Sequence, residues 1–298
     1  GVGLAAARRM TAPVPITAAP PTRLVVGCGY LGERVARRWL AAGDRVVAVT
    51  RRLARAAELA ALGIEPLVAD VTAADFPAVA LPEVATVFWA VGFDRAADTT
   101  HHDVHVRGLG RLLDALPGGP RVILSSSTGV WGEADGRVVD ESTPAHPTRE
   151  AGRVLLEAES LLRTHPRGPG VALRFAGLYG PGRLPRIADL RAAAPIAADP
   201  DSWLNLIHVD DAAEIVCLVA AAAGPRPLYV VSDGRPVRRR DWYGRLAAVS
   251  GSPEPRWDAS APRTRGADKR VDPGRLFADV PVRLAHPDPL AALAGLVG

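Results

Sequence analysis

The sequence contains little cysteine and no long apolar run, and each scarcity excludes a class of protein. Cys28 and Cys217 are the only cysteines, too few for a disulfide scaffold or a Cys-rich zinc site. We interpret both as buried thiols in a reducing cytoplasm. The longest purely apolar run covers residues 215–223, much less than the roughly 20 residues that span a bilayer. The composition predicts a soluble, cytoplasmic protein without a membrane partner.

Charge of one sign is not concentrated in any segment. The net charge is +4, but the arginines are spread among acidic residues, and no basic–aromatic motif accompanies them. This pattern argues against a nucleic-acid partner. An anionic ligand would explain the excess of positive charge equally well.

From Thr22 onward, short β-branched runs alternate with amphipathic helical stretches, a pattern typical of parallel βαβ units. Strands are predicted at 23–26, 45–50, 65–69, 86–90, 121–125, 171–175 and 227–231. A helix follows the first strand, with an apolar stripe at Leu31, Val35 and Trp39, and Gly43 ends it. Its charged residues are expected to face water, namely Glu33, Arg34, Arg37 and Arg38. Further helices are predicted at 53–62, 101–116, 148–164, 210–223 and 239–249.

This alternation predicts an α/β fold, a Rossmann-type doubly wound parallel sheet with a smaller C-terminal substrate lobe. The dinucleotide-binding domain would cover residues 22–176 and the lobe mainly 177–298, with about 205–232 returning to the core. Residues 1–21 contain four prolines and no apolar core of a signal peptide, so we expect a flexible arm. Met10 within it is either the natural start or part of an extension.

A glycine motif follows the first predicted strand, GCGYLG at 27–32, and leads into the helix. In this strand–turn–helix context GxGxxG indicates dinucleotide binding. Gly27 permits the tight turn, Gly29 lets the backbone approach a pyrophosphate, and Gly32 lets the helix pack on the strand. Tyr30 and Leu31 lie at the helix N-terminus, whose N–H groups favour an anion. The alternative is a glycine turn that binds nothing.

The residues at the end of the second predicted strand indicate which cofactor is preferred. In an NAD-binding protein an acidic residue there binds the ribose 2′-hydroxyl. Here the strand ends at Thr50, and Arg51 and Arg52 follow. Guanidinium groups suit a 2′-phosphate, so we predict NADP(H) in preference to NAD(H). The alternative is that both arginines form only a solvated helix start.

Two other strand ends are expected to border the cofactor. Asp70 follows the third strand, where the adenine ring would lie. Ala90, Val91 and Gly92 follow the fourth and offer a small-residue surface beside a ribose. Each segment is also compatible with an ordinary turn.

The order of motifs resembles the extended short-chain dehydrogenase/reductases, which include the NAD(P)-dependent epimerases and dehydratases of nucleotide sugars. The motifs are GCGYLG at 27–32, Asp70, AVG at 90–92, LSSSTGVWG at 124–132, LR at 173–174 with GPG at 180–182, and IHVDD at 207–211. The resemblance extends over about residues 22–280 and implies a Rossmann domain with a substrate lobe. It also implies that Ser127 matches the family's substrate-binding hydroxyl.

The catalytic Tyr-x-x-x-Lys pair of that family is missing. In the corresponding stretch Ala151 stands in the tyrosine position and Leu155 in the lysine position. Realignment cannot restore the pair, because Lys269 is the only lysine and no tyrosine precedes it by four residues. The usual proton transfer from a phenol beside an ammonium is therefore excluded. The chain resembles the atypical subgroup that keeps the glycine motif and lacks the pair.

Several polar residues are candidates to replace that chemistry. Ser126, Ser127 and Thr128 follow the fifth strand, where substrates bind. Ser127 would orient a carbonyl, or alternatively cap a turn. Tyr179 would replace the missing phenol, with Arg183 lowering its pKa or binding an anionic substrate. The alternative is a packed tyrosine and a surface arginine.

Histidines provide a second set of candidates. His101 and His105 share a helical face, and His105 is a candidate general acid or base. A metal would need further ligands, so no metal is predicted. His208 is a candidate substrate residue, although the family resemblance favours a role in tying the lobe to the core. Ser-His-Asp hydrolysis is not favoured, because no GxSxG motif is present.

The sequence therefore predicts an NADP(H)-binding reductase, epimerase or dehydratase that acts on a small polar molecule. Two alternatives stay open. The first is a redox-silent NADP(H) sensor that regulates a partner. The second is a non-redox cyclase or isomerase on the same fold. Assembly as a homodimer is also left open.

Overall fold

A computed structural model describes residues 19–77, 80–94, 96–167, 170–258 and 268–297, so the arm predicted at 1–21 lies almost wholly outside them. The strands of the described part are β1 (Thr22–Val26), β2 (Arg45–Thr50), β3 (Glu65–Val68), β4 (Thr86–Trp89), β5 (Arg121–Ser127), β6 (Ala134–Val139), β7 (Val171–Phe175), β8 (Gly177–Tyr179), β9 (Trp203–Leu204), β10 (Leu206–His208), β11 (Leu228–Val231), β12 (Val237–Arg238) and β13 (Asp268–Val271).

The helices in the same ranges are α1 (Gly32–Ala41), α2 (Leu53–Ala61), α3 (Leu109–Ala115), α4 (Glu150–Thr164), α5 (Ile187–Arg191), α6 (Val209–Ala221), α7 (Arg239–Ser250), α8 (Gly274–Asp279) and α9 (Pro289–Ala292). A π-helical turn, Asp103–Gly108, leads directly into α3. The sequence pattern predicted one continuous α-helix there. Among the described helices we find none with the length and apolar character needed to cross a membrane.

A central sheet of parallel strands organises the fold, in the order β11-β7-β5-β4-β1-β2-β3. Apolar side chains fill both of its faces, one beneath α1 and α6 and the other beneath α3 and α4. This arrangement confirms the predicted α/β class and the doubly wound Rossmann-type sheet. All seven predicted strands belong to it.

Helix α1 shows how the local pattern positions the glycine loop. Val35 and Trp39 are buried, and Gly43 follows the helix with φ +89°, as a C-terminal glycine should. Two arginines expected to face water contact α6 instead. Arg34 pairs with Asp210 at 3.1 Å, and Arg38 pairs with Glu214 at 3.2 Å. The expectation was wrong because α6 packs beside α1, which the sequence pattern does not reveal.

In the second half of the described chain, α6 packs on α1, and β11 pairs with β7 of the central sheet. The remaining elements form small two-stranded sheets, β8 with β10, β9 with β12 and β6 with β13. A separate apolar cluster beneath α7 contains Tyr179, Trp242 and Tyr243. Strand β8 begins two residues after the carboxyl end of β7 and pairs in parallel with β10.

Candidate dinucleotide and substrate site

A cavity of about 780 Å³ opens at the carboxyl ends of β1, β2, β4 and β5. This volume lies within the usual range for small-molecule sites. The cavity is lined by all the predicted cofactor residues except Gly32, namely Gly27, Gly29, Tyr30, Leu31, Thr50, Arg51, Arg52, Asp70, Ala90, Val91 and Gly92. The parallel sheet brings them together because each lies at or shortly after the carboxyl end of a strand.

The three motif glycines are needed for different structural reasons. Gly27 has φ +92°, and a Cβ there would lie 2.6 Å from the carbonyl of Ala90. A Cβ on Gly32 would lie 2.4 Å from the carbonyl oxygen of Gly27. At Gly29 a Cβ would meet nothing within 4 Å. The first and third glycines are thus required by packing, while the second faces open space on the cavity side.

The arginines after β2 lie at one end of the cavity, and both are exposed. Arg51 donates from Nη2 to Oδ2 of Asp94 at 3.1 Å, an ion pair that joins the end of β2 to the segment after β4. The backbone N–H of Ala96 and the Arg51 guanidinium hold the pKa of Asp94 below its usual value. Asp94, which also lines the cavity, was not predicted from the sequence.

Arg55 is another lining residue that sequence reasoning missed. Its guanidinium donates to the carbonyl of Cys28 at 3.0 Å and pairs with Glu33 and with Glu58. It therefore ties α2 to the glycine loop rather than presenting a free charge. It lies in the first turn of α2, three residues after Arg52 at the N-cap position, and this nearness along the chain is a signal that could have found it.

Tyr30 lies between two guanidinium groups at the mouth of the glycine loop. The guanidinium carbon of Arg34 is 4.4 Å from its ring centroid, and that of Arg183 is 5.4 Å away. Burial raises the pKa of Tyr30, and its hydroxyl has no partner among the described residues. Arg183 is exposed and lines the cavity, so it is placed to meet an anionic group there.

The other predicted edge residues occupy turns on the cavity wall. Oδ1 of Asp70 accepts hydrogen bonds from the backbone N–H of Thr72 at 2.8 Å and from its hydroxyl at 2.7 Å. The carboxylate is thereby fixed at the end of β3. Ser125, which the sequence argument passed over, lines the cavity from β5.

The three polar residues predicted after β5 are used locally. The hydroxyl of Ser126 donates to Glu159 at 2.5 Å, and Glu159 pairs with the buried Arg174 at 2.7 Å. Oγ of Ser127 accepts the backbone N–H of Gly129 at 3.0 Å, which is the turn-capping alternative. Thr128 begins the short 3₁₀ turn that follows β5.

Apolar packing fills the surroundings of the missing catalytic pair. The start of helix α4 packs closely on the loop after β5. A Cβ on Gly152 would lie only 2.7 Å from the carbonyl oxygen of Gly129. Leu155 packs against the cluster that contains Val130, Trp131 and Val139. Leu155, which stands in the family's lysine position, is thus part of an apolar core rather than of a polar site.

Tyr179 is fully buried in the apolar cluster beneath α7. Its ring makes edge contacts with His208 and Trp242, each at 5.2 Å between centroids. Burial raises its pKa further above the ordinary value, and its hydroxyl has no partner among the described residues. The residues that line the cavity do not include it. This is the packed-tyrosine alternative, and it weakens the case for a surrogate phenol.

His105 lies in the π-helical turn, immediately after Val104, which lines the cavity. Burial and the neighbouring His101 lower the pKa of His105 to about 4, so the imidazole is neutral near pH 7. Its Nδ1 has no partner among the described residues. Phe93 stacks on His101 at 3.7 Å and His101 on His105 at 6.0 Å. Single π-helical turns often occur at functional sites.

His208 caps α6 and joins a second group of polar side chains. Its Nδ1 accepts the backbone N–H of Asp210 at 3.2 Å, and its ring stacks on His286 at 3.6 Å. Asp211 accepts the backbone N–H groups of Ala285 and His286 at 2.7 and 2.9 Å. Ligand atoms of His208, Asp211 and His286 all lie within 4.8 Å of one another, while both carboxylate oxygens of Asp211 accept those backbone N–H groups. The group ties the C-terminal segment to α6.

The fold and the cavity define a Rossmann-type dinucleotide-binding protein. The chain belongs to the NAD dependent epimerase/dehydratase family, whose profile matches residues 23–232. The match confirms the resemblance to the extended short-chain dehydrogenase/reductases. The residues present fit a nicotinamide dinucleotide, which Gly29 and the strand ends would hold.

Relatives extend this comparison. The solved structure of a candidate NAD-dependent epimerase/dehydratase from Methylobacillus flagellatus is 32% identical, covers 93% of this chain and 97% of that chain, and has a TM-score of 0.73. Protein YeeZ of Escherichia coli (strain K12) is 33% identical over 171 residues, 57% of this chain. The match spans 60% of YeeZ. A 4-hydroxy-2-methyl-3-oxo-4-farnesyl-3,4-dihydroquinoline-1-oxide ketoreductase of Stigmatella aurantiaca is 27% identical over 241 residues, 76% of this chain and 72% of the relative.

Proposed function

We propose that this protein transfers hydride between NADP(H) and a small polar carbonyl or alcohol, as a reductase, epimerase or dehydratase would. The observation that carries the cofactor preference is the pair Arg51 and Arg52. Both are exposed on the cavity wall, at the strand end where an acid would select NAD. The similarity to a ketoreductase supports carbonyl chemistry.

The bound nicotinamide would supply or accept the hydride, and the protein would orient the substrate. Ser125 is the cavity-lining hydroxyl nearest in sequence to Ser127, and these two are the candidates to hold a carbonyl oxygen. His105 is neutral at pH 7 and would act as a hydrogen-bond partner or weak base rather than as an acid. Arg183, beside Tyr30, would bind an anionic part of the cofactor or substrate.

A redox-silent sensor is the second candidate, and a specific observation favours it. The side chain in the family's lysine position, Leu155, packs into an apolar cluster. The phenol of Tyr179 is buried away from the cavity. A protein that only binds the cofactor would need neither a catalytic lysine nor a catalytic phenol in the cavity.

The test combines binding with isotope transfer. Wild-type protein is titrated with NADPH and NADH by calorimetry, and NADPH is expected to bind at least tenfold more tightly. Equal affinities would refute the preference. NADPH deuterated at C4 is then incubated with a panel of small carbonyl compounds. Deuterium in a product supports hydride transfer, whereas tight binding without transfer across the panel supports the sensor.

A further inference from the structure

A tight turn carries Arg183 to the wall of the cavity. Gly180 and Arg183 exchange backbone hydrogen bonds, at 3.1 Å from the N–H of Gly180 and at 2.9 Å from the N–H of Arg183. Pro181 and Gly182 occupy the two central positions, and Gly182 has φ +74°. A proline followed by a residue with positive φ is typical of a type II turn. The backbone of Arg183 is therefore held in place by its own turn.

The same turn packs directly against the glycine loop. Gly180 has φ +148°, and a Cβ there would lie 2.9 Å from the hydroxyl oxygen of Tyr30 and 3.2 Å from Nε2 of His208. Only a residue without a side chain lets the turn come this close. The position of Arg183 is thus fixed relative to Tyr30, which belongs to the loop that leads into α1.

The guanidinium of Arg183 is not committed to another group of the protein. Its carbon lies 5.4 Å from the ring centroid of Tyr30, a cation–π contact that uses the flat face of the guanidinium and leaves its in-plane N–H donors available. It makes no hydrogen bond or ion pair with another described residue. Arg34 also contacts this ring, but it donates to the carbonyl of Tyr30 at 2.7 Å and pairs with Asp210 at 3.1 Å. Of the two arginines, Arg183 is the one available to an anion.

The order of the strands separates Arg183 from the arginines that follow β2. Strand β2 lies on one side of β1, whereas β7, which leads into β8 and the turn, lies on the other side. The glycine loop follows β1, between them. A 2′-phosphate would lie with Arg51 and Arg52, so the anion expected beside Arg183 is a different group of the ligand.

The glycine loop indicates which group that is. The N–H groups in the first turn of α1 have no intrahelical acceptor, and such groups favour a phosphate. Tyr30 belongs to this loop, and Arg183 lies on its ring. A diphosphate on the loop would meet backbone N–H groups on one side and a guanidinium on the other. The guanidinium can donate two parallel hydrogen bonds to phosphate oxygens.

We propose that Arg183 binds the diphosphate of the dinucleotide from the side opposite the glycine loop, and so strengthens the binding of NADPH and NADH equally. That the diphosphate belongs to a dinucleotide rests on the proposed function, but the preference for NADP(H) does not enter. Arg183 is thereby assigned to the cofactor rather than to an anionic group of the substrate. Selection between the two cofactors is left to Arg51 and Arg52.

Fragments of the cofactor separate the diphosphate from the other anionic group. Wild type and Arg183→Gln are titrated by calorimetry with NADPH, NADH, ADP-ribose, which keeps the diphosphate without the nicotinamide, and adenosine 2′,5′-bisphosphate, which has no diphosphate. Loss of a charge-assisted bond should weaken the first three ligands by a similar factor of about tenfold. The bisphosphate should change by less than about twofold, because solvent and salt screen a distant charge.

Two further variants serve as controls. Arg191→Gln removes an exposed arginine of α5 that does not line the cavity, and it should leave all four affinities unchanged. Arg183→Lys keeps the charge but loses the forked geometry, so its affinities should lie between those of wild type and Arg183→Gln. Because Arg183 is exposed, neither change at this position should prevent folding.

Wild type that binds NADPH, NADH and ADP-ribose, with the same affinities in Arg183→Gln, would overturn the inference and leave the proposed function standing. A loss for NADPH and NADH without a loss for ADP-ribose would also overturn it, because the contact would then be to the nicotinamide half. A loss confined to NADPH and the bisphosphate would overturn it in favour of the 2′-phosphate. Failure of wild type to bind any of the four ligands would overturn the proposed function, and the inference with it.

Discussion

Asp94 is expected to oppose NADPH binding, although it lines the cofactor cavity. Its carboxylate accepts a hydrogen bond from the Arg51 guanidinium at 3.1 Å. A 2′-phosphate would need the same guanidinium. Binding of NADPH must therefore displace Asp94 or place two anions around one cation. The change Asp94→Asn removes the competing charge and is expected to tighten NADPH, while NADH, which has no 2′-phosphate, is unaffected.

The structure sets the size of these effects. The side chains of Arg51 and Asp94 are 43% and 49% exposed, so water and salt screen the repulsion, and we expect about a threefold to fivefold gain in NADPH affinity. Arg51→Ala removes a charge-assisted bond worth about 1.5 kcal/mol at an exposed position, or about tenfold in affinity. In that background Asp94→Asn should have little further effect.

Calorimetric titration of the two single variants and the double variant with NADPH and NADH tests this coupling. Asp98→Asn is the control, since it removes one exposed acid from the same segment. The reasoning fails if Asp94→Asn weakens NADPH, changes NADH as much as NADPH, or acts equally with and without Arg51. It also fails if the control matches Asp94→Asn.

Three further predictions concern the scaffold. Gly27→Ala should lower the free energy of unfolding, measured in urea, by about 2 kcal/mol or more, because the residue has φ +92° and its Cβ would lie 2.6 Å from a backbone carbonyl. Gly29→Ala should fold normally yet bind NADPH less well. Equal stabilities of the two variants would contradict this. Glu159→Gln leaves the buried charge of Arg174 unpaired and should cost about 3 kcal/mol, so a loss below about 1 kcal/mol would argue against a buried ion pair. His105 has a folded pKa of about 4, below the ordinary 6.5, so the stability it contributes above pH 6.5 is lost as pH falls toward 4. Relative to His105→Gln, the wild type should lose about 2 kcal/mol between pH 7 and pH 5, and parallel pH profiles would refute the assignment.

The central sheet could be predicted closely because its signals are local. Buried parallel strands need nearly continuous apolar runs, and the segments at 45–50 and 171–175 match β2 and β7 at both ends. The two-residue strands β9 and β12 were missed, because pairs that short have no period. The π-helical turn around His105 was missed for a related reason, since its sequence also suits an α-helix.

The cofactor side of the site was predictable for the same physical reason. Gly27 and Asp70 follow predicted strands and Thr50 ends one, and parallel strands end at one edge. Partners contributed from other segments were not visible. Asp94 meets Arg51 only because β4 lies near β2 in the folded sheet, and no pattern along the chain records that distance.

The sequence by itself determined the nucleotide-binding class, since a strand, three glycines and a helix impose their geometry within a few residues. It also determined that the usual catalytic pair is missing, since the single lysine has no tyrosine four residues before it. Only the tertiary structure decided which polar groups are available for chemistry. Tyr179 and Lys269 are both buried by contacts from distant segments, and burial depends on long-range packing rather than on neighbouring residues.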